Sequence, residues 1–440
     1  MSLPPRPAVP PLATFVLPPR RMETLPGGAR ATLIDVGTVP LAAIRLVLGS
    51  GSVDLPPDAT WLDRFVFDYL REGTEQRDAA AFAAALAAMG GRLEIDSDEQ
   101  TTTLQTEVLS EHTPAAVALL VELARTPRFP EDAAERLLTD LHRSLDMATA
   151  QPSWLAHTAM RKALFGDQPY GRVMPTSEML DSFTTARAAE FWARTTGARR
   201  AHLLLAGRFA ADAVLEAAQR SMDGWAPGPE AAPLVVTTRA ERAIHLVDRP
   251  GSEQSTFQLG LPVIDPGHKD YVALEVTNAL LGGAFASRIT MNIREDKGYT
   301  YSPRSVISTR PQGTYWAEVA DVTTAVTGAS LREIFGEIDR LRGEAPPEEE
   351  LTGVRNYVAG SFVIRQSSPA ALLDHLEFLD RHGLDASYSA SYLERVQAVT
   401  PAEVQRLTVE HLRPEAMAVA MVADRAVVEP QVAEFGPILA

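Results

Sequence analysis

The spacing of apolar and polar positions divides the first part of the chain into short elements of two kinds. Residues 31–50, ATLIDVG and then LAAIRLVLGS, alternate closely enough for half-buried strands. Residues 61–71 and 78–89 change to the 3.6-residue spacing of amphipathic helices, and GRLEIDSDEQTTTLQTEVL at 91–109 reads as a Thr-rich hairpin. Two more helices follow, PAAVALLVELART and EDAAERLLTDLHRSLDMA, each with apolar residues on one face. Strands and helices in this order predict an α+β layer, an antiparallel-rich sheet with helices packed on one face.

The second part of the chain repeats the first. Thr185-Ala-Arg-Ala-Ala-Glu-Phe-Trp leads through a polar turn into the apolar run AHLLLAG, and Thr400-Pro-Ala-Glu-Val-Gln-Arg-Leu leads through Arg413-Pro414 into AMAVAMVAD. Each reads as a helix capped by its threonine that feeds a buried strand. Pro152 and Pro369 open helices at nearly the same offset, and Phe129-Pro-Glu-Asp corresponds to Pro346-Pro-Glu-Glu. Several pairs in one order at a near-constant offset of about 215 residues predict two copies of one unit. The expected organisation is an N-terminal arm at 1–22, a first domain at 23–222, a Pro- and Gly-rich linker at 223–236 and a second domain at 237–440.

Composition removes several functions. The 41 Lys and Arg against 57 Asp and Glu leave a formal charge of −16, the wrong sign for a phosphate backbone, so nucleic acid is not an expected partner. There is no cysteine, hence no disulfide, thiolate metal site or cysteine nucleophile. No apolar run approaches the roughly eighteen residues of a membrane helix, and membrane insertion is not expected. Of the 41 basic residues 38 are Arg, a bias that fits high-GC bacterial coding, so the chain is expected to be soluble, in a bacterial cytoplasm or periplasm.

Local motifs supply no catalytic centre. Gly49-Ser-Gly51-Ser-Val-Asp54 has an acid where a dinucleotide loop needs its third glycine. Asp96 to Glu107 imitates a calcium loop but lacks the central glycine and sits in a hairpin. The nine histidines include no pair three to five residues apart, the spacing of helical zinc ligands.

One longer stretch changes the picture. Gly282-Gly-Ala-Phe-Ala-Ser-Arg-Ile-Thr-Met-Asn-Ile-Arg294-Glu-Asp-Lys-Gly-Tyr-Thr-Tyr301-Ser resembles the second-domain signature of the pitrilysin and insulinase-like zinc peptidases (inverzincins), processing-peptidase branch. Thr24-Leu-Pro-Gly-Gly, Gly49-Ser-Gly-Ser, Arg71-Glu-Gly-Thr74 and Pro169-Tyr-Gly171 carry the resemblance along the rest of the chain. It implies a processing-peptidase-like fold with zinc held in the first domain by H-x-x-E-H on the helix ending at Gly73-Thr74. At those positions stand Arg64-Phe65-Val66-Phe67-Asp68, and the third ligand, a glutamate, falls at Ser144. A guanidinium has no lone pair for a metal and a phenyl ring carries no proton, so the chain alone is expected to hold no metal or other cofactor and to hydrolyse nothing. Arg64 and Asp68, four apart on one helix, stand at ion-pair spacing, although two separately exposed charges fit equally well.

The Arg and Tyr with which the family reaches the substrate carbonyl are retained as Arg294 and Tyr301. Their donors suit an oxygen that becomes negative. The resemblance therefore implies the non-metal subunit of a heterodimeric peptidase, pairing with a homologous zinc-bearing subunit and supplying Arg294 and Tyr301 to a peptide at the partner's zinc. The alternative is a catalytically inert scaffold or peptide-binding homodimer. An extended peptide is expected to add along Leu104–Val108 or Tyr315–Val319.

Overall fold

The computed structural model describes residues 15–439, which form two six-stranded mixed sheets. The first contains β1 (Arg21–Thr24), β2 (Arg30–Asp35), β3 (Leu41–Leu48), β4 (Glu94–Ser97), β5 (Thr102–Leu109) and β6 (Ala201–Gly207) in the order β1-β2-β6-β3-β5-β4. The second contains β7 (Ile244–Asp248), β8 (Gln254–Pro262), β9 (Arg304–Ser308), β10 (Tyr315–Thr323), β11 (Ala418–Ala423) and β12 (Ile438–Leu439) in the order β12-β7-β11-β8-β10-β9. The five strands after the first in each order correspond one to one, and the parallel pairs β2–β6 and β7–β11 stand at matching places, with β12 adding a further parallel pair on β7. The sequence repeat is thus a repeat of topology.

The first half carries helices α1 (Leu62–Leu70), α2 (Ala79–Ala87), α3 (Thr113–Arg125), α4 (Ala134–Ala150), α5 (Pro152–Phe165), α6 (Ser177–Asp181), α7 (Thr185–Thr195) and α8 (Ala211–Met222). The second carries α9 (Tyr271–Asn278), α10 (Arg288–Thr290), α11 (Thr327–Gly343), α12 (Glu348–Arg365), α13 (Pro369–Arg381), α14 (Ala386–Ala398), α15 (Pro401–His411) and α16 (Arg425–Val432). Thr400 caps α15 through a reciprocal bond with Glu403. In the first copy the cap is Thr184, not Thr185, whose hydroxyl instead meets the Tyr69 hydroxyl at 2.9 Å. Two adjacent threonines hide which one leaves the helix.

Each half's own helices bury one face of its sheet: Leu46, Leu104 and Leu203 join Phe65, Leu120 and Leu141 in the first core. The opposite faces are closed by exchange. Helix α13 of the second half lays Leu372, Leu373 and Leu376 on Ile34, Val47 and Leu204 of the first sheet. Helix α5 of the first half lays Met160, Leu164 and Phe165 on Tyr315, Ala317, Ala418 and Ala420 of the second. Every residue of β6 and β11 is buried as a result. Each large apolar side chain covered in this way contributes about 2 kcal/mol. The contact is close enough that a Cβ on Gly313 would stand 2.7 Å from the Tyr170 ring.

Charge pairs line the same seam. Glu99, in the β4–β5 turn, receives Arg161 of α5 at 2.9 Å and Arg310 of the second half at 2.8 Å. Burial opposes its charge, but the two guanidiniums together hold its carboxyl down at about 2. Arg45 of β3 reaches Asp374 and Glu377 of α13 at 2.7 and 2.9 Å.

Two sequence expectations need revision. Residues 1–14 of the expected arm lie outside the described residues, and Arg21 and Met22, assigned to it, pair with β2. Leu104–Val108 and Tyr315–Val319 are not free edges: β5 lies between β3 and β4, and β10 between β8 and β9. The short strands β4 and β9, whose polar sequences conceal them, occupy the edges. The calcium-like segment is a turn in which Asp98 accepts from the backbone of Gln100 and Thr101.

Glu99 has a lowered folded pKa, so its contribution is complete above the ordinary carboxylate range and fades as pH falls from about 4.5 towards 2. Glu99→Gln is expected to cost about 3 kcal/mol in urea unfolding at pH 7, with the gap to the unsubstituted chain narrowing steadily below pH 4.5.

Candidate functional site

Helix α1 stands where the resemblance places the metal. It starts from Trp61, held at a positive φ of 76° and anchored by its indole N–H to the Val173 carbonyl at 2.9 Å. Phe65, Val66, Tyr69 and Leu70 face the core, Phe67 is partly buried at its edge, and Arg64 and Asp68 are turned away from it. The Arg64 guanidinium lies over the Trp61 ring, 4.4 Å from its centre, and Arg71 lies 4.8 Å from that of Phe67. Stacking occupies Arg64, which acts on Asp68 only from a distance. Burial raises the Asp68 carboxyl, with Arg71 and Arg64 opposing the rise from a distance.

Helix α4 packs on α1 and sets Asp140 near Asp68. Ser144, one turn further, donates its hydroxyl to the Asp140 carbonyl at 2.9 Å. The fold thus brings together the helices that would hold the metal, but their side chains do not fit one. Of the four positions one is a cation, one a hydrocarbon and one a hydroxyl already committed, leaving a single carboxylate where zinc needs three protein ligands. Among the described residues no group of three His, Cys, Asp or Glu is arranged to hold a metal ion. The sequence reading passed over Asp63 on the same helix, a buried carboxyl pushed up to about 6 by desolvation. Its neighbourhood of apolar residues was the only available signal.

The signature segment is built of tight, unusual turns. Ala279–Gly283 and Met291–Asp296 are π-helical, on either side of α10. Ile289 and Ile293 are fully buried, and Asn292 donates to Glu333 and Glu337 at 2.9 and 2.7 Å. This pins one side of the segment to α11 and leaves Arg294 on the other. Gly298, at a φ of 65°, reverses the chain, and the Tyr299 N–H closes the turn on the Ile293 carbonyl. Tyr301 is folded back so that its ring centre lies 4.8 Å from the Arg294 guanidinium. On the other side Phe285 lies at 4.5 Å.

Arg294 is therefore sandwiched between two rings that are themselves 66 % and 79 % exposed. Its Nε meets Glu295 at 3.0 Å. The stack holds a guanidinium and a phenol side by side at the surface, both with donors to spare for an incoming oxygen. Phe285 was visible in the signature, but nothing in its spacing marked it as the second face of the sandwich.

The family profile described as "Insulinase (Peptidase family M16)" matches residues 32–176, and that described as "Peptidase M16 inactive domain" matches residues 182–358. The chain belongs to the M16 family of insulinase-like peptidases. Among M16 relatives, an uncharacterized zinc protease of Streptomyces coelicolor is 23 % identical over 88 % of this chain and 85 % of its own length. A protein of Helicobacter pylori described as a non-peptidase homolog is 21 % identical over 88 % and 90 %. The crystal structure of an M16 inactive domain from Pseudomonas fluorescens superposes with a TM-score of 0.85 at 21 % identity, covering 92 % of this chain and 98 % of that one. Names of both kinds, peptidase and non-peptidase, occur among proteins similar to this chain, so side chains and not architecture decide the chemistry.

From the donor set at α1 and α4, dialysis of the purified chain against zinc followed by elemental analysis is expected to leave far less than one zinc per chain. Asp68→His with Arg64→His and Phe67→Glu is expected to raise that content, because the helix framework is already in place.

Proposed function

We propose that the chain is the non-metal subunit of a two-chain zinc peptidase. In this reading it pairs with a homologous zinc-bearing subunit and offers Arg294 and Tyr301 to a peptide held at the partner's zinc. The observation that carries the reading is a contrast between the halves. The helix where the family holds its metal presents Arg64, Phe67 and Asp68, while the signature in the second half holds Arg294 between Phe285 and Tyr301 in an exposed, donor-rich stack. A chain retained only as a scaffold has no use for a guanidinium and a phenol placed so.

The proposed chemistry is oxygen stabilisation. A peptide carbonyl under attack gains negative charge, and preorganised donors lower that barrier without having to reorganise. Arg294 supplies charge-assisted N–H bonds in a fixed fork, and Tyr301 an O–H donor beside it. Phe285 then acts as a positioning residue, since its ring limits the rotamers of Arg294. Bond-breaking on this chain alone is not part of the proposal.

Cleavage of an unstructured peptide by a zinc-bearing homologue mixed with this chain provides the test. Tyr301→Phe and Arg294→Ala are each expected to lower kcat by about a hundredfold while leaving complex formation unchanged. Phe285→Ala is expected to have a smaller effect, about three- to tenfold, from one lost cation–π face. Silence of both Arg294→Ala and Tyr301→Phe contradicts the shared-site reading.

A further inference from the structure

The second half contains a cavity of about 570 Å³ that the proposed chemistry does not use. It opens among α9, α12, α14 and the edge strand β9. Its place is that of the degenerate metal site in the first half. Helix α9 follows β8 as α1 follows β3, and Ser361 in its wall stands eight residues before Pro369, as Ser144 stands eight before Pro152.

Its lining is polar inside, and its mouth is apolar apart from the exposed Arg365. Glu275 of α9 faces the cavity and accepts from the Tyr392 hydroxyl of α14 at 3.2 Å. Tyr271, one turn earlier on α9, adds a second aromatic wall. Asn278 and Ser305, also lining it, satisfy one another at 2.7 Å. A carboxylate accepts up to about four bonds, so Glu275 keeps spare capacity. At the mouth stand Tyr357 and Ile364, 51 % and 71 % exposed and seven residues apart on α12, with Ile307 of β9 opposite.

A carboxylate between tyrosine rings, reached past an apolar collar, matches a cation on an aliphatic stem. We propose that this cavity binds an alkyl-ammonium or alkyl-guanidinium group, its stem between Tyr357, Ile307 and Ile364 and its charged head on Glu275 beside Tyr271 and Tyr392. Of two nearby cations, Arg365 also lines the cavity, and both act on Glu275 only from a distance. Arg365 turns its Nε to the Ser361 carbonyl of its own helix at 3.3 Å, and Arg395 donates to the Lys269 carbonyl at 2.9 Å while lying over the Tyr388 ring. The net charge of −16 draws cations towards the chain over distance.

The site carries its own pH signature. Desolvation pushes the Glu275 carboxyl up to about 7, opposed by the Tyr392 hydrogen bond and by Arg365 and Arg395. Tyr271 and Tyr388, the other titratable groups facing it, remain neutral phenols with raised pKa values. A bound cation favours ionised Glu275, so binding near neutral pH releases a proton, and affinity rises from pH 6 to pH 8 and then levels.

Calorimetry on the purified chain, with no partner subunit present, tests this independently of the two-chain reading. The probes are agmatine, a capped glycine pentapeptide with one central arginine, and the same peptide with citrulline in its place. Agmatine binding alone identifies a free amine as the ligand, and binding of the arginine peptide alone identifies a peptide side chain. The expected results are at least about tenfold weaker binding by citrulline than by arginine, a similar loss in Glu275→Gln, and about threefold weaker binding in the surface variant Tyr357→Ala. Glu275→Gln retains an acceptor for Tyr392, and circular dichroism verifies its fold. The proposal is overturned if neither cation binds at millimolar concentration, if citrulline binds as well as arginine, or if Glu275→Gln and Tyr357→Ala both bind unchanged.

Discussion

The structure depends on the exchange of two helices. Each central strand is apolar on both sides, AHLLLAG in β6 and AVAMVA in β11, and a sheet with helices on one face alone would leave half of those side chains in water. Helices α5 and α13 cover the two outer faces reciprocally, each from the opposite half. Neither half therefore completes its own core, and the halves are held in one relative position. The charge pairs of the seam add orientation to this contact, since Glu99 gathers Arg161 and Arg310 from opposite halves.

Rigidity of that kind lets side chains vary at one site without collapse. On α1 the inward residues Phe65, Val66, Tyr69 and Leu70 carry most of the packing, Phe67 rests partly buried against the same core, and Arg64 and Asp68 lie outside it. The framework thus accommodates side chains that are not metal ligands at these positions with its fold intact. The signature segment follows the opposite logic. Its buried isoleucines, Asn292 and the Gly298 turn all act to hold Arg294 and Tyr301 in one exposed arrangement.

Much of this was legible in the sequence because duplication and period-2 or period-3.6 patterns depend on local physics. The strands at 31–50, the helices of the first half and the 215-residue offset all follow from side-chain burial. Elements set by tertiary context were not legible. The edges β4 and β9 are short and polar, so the strongly patterned β5 and β10 were mistaken for edges. Of two adjacent threonines, packing against Tyr69 and not capping propensity decided that Thr185 lies within the helix. The Arg64–Asp68 pairing was equally open, and it is the Trp61 ring, fixed at an unusual backbone angle, that draws Arg64 away. The Glu275 cavity left no sequence signal, because its walls come from four separated elements.

The central claim is that this chain is one half of a peptidase whose metal lies in another chain. A reconstitution titration tests it most directly: peptide cleavage by a fixed amount of zinc-bearing homologue is followed as this chain is added, with zinc measured in the complex. The account predicts that activity rises and breaks at one chain per partner, with a single zinc per pair. Activity of the homologue that is indifferent to the added chain, or a second zinc bound with it, contradicts the account.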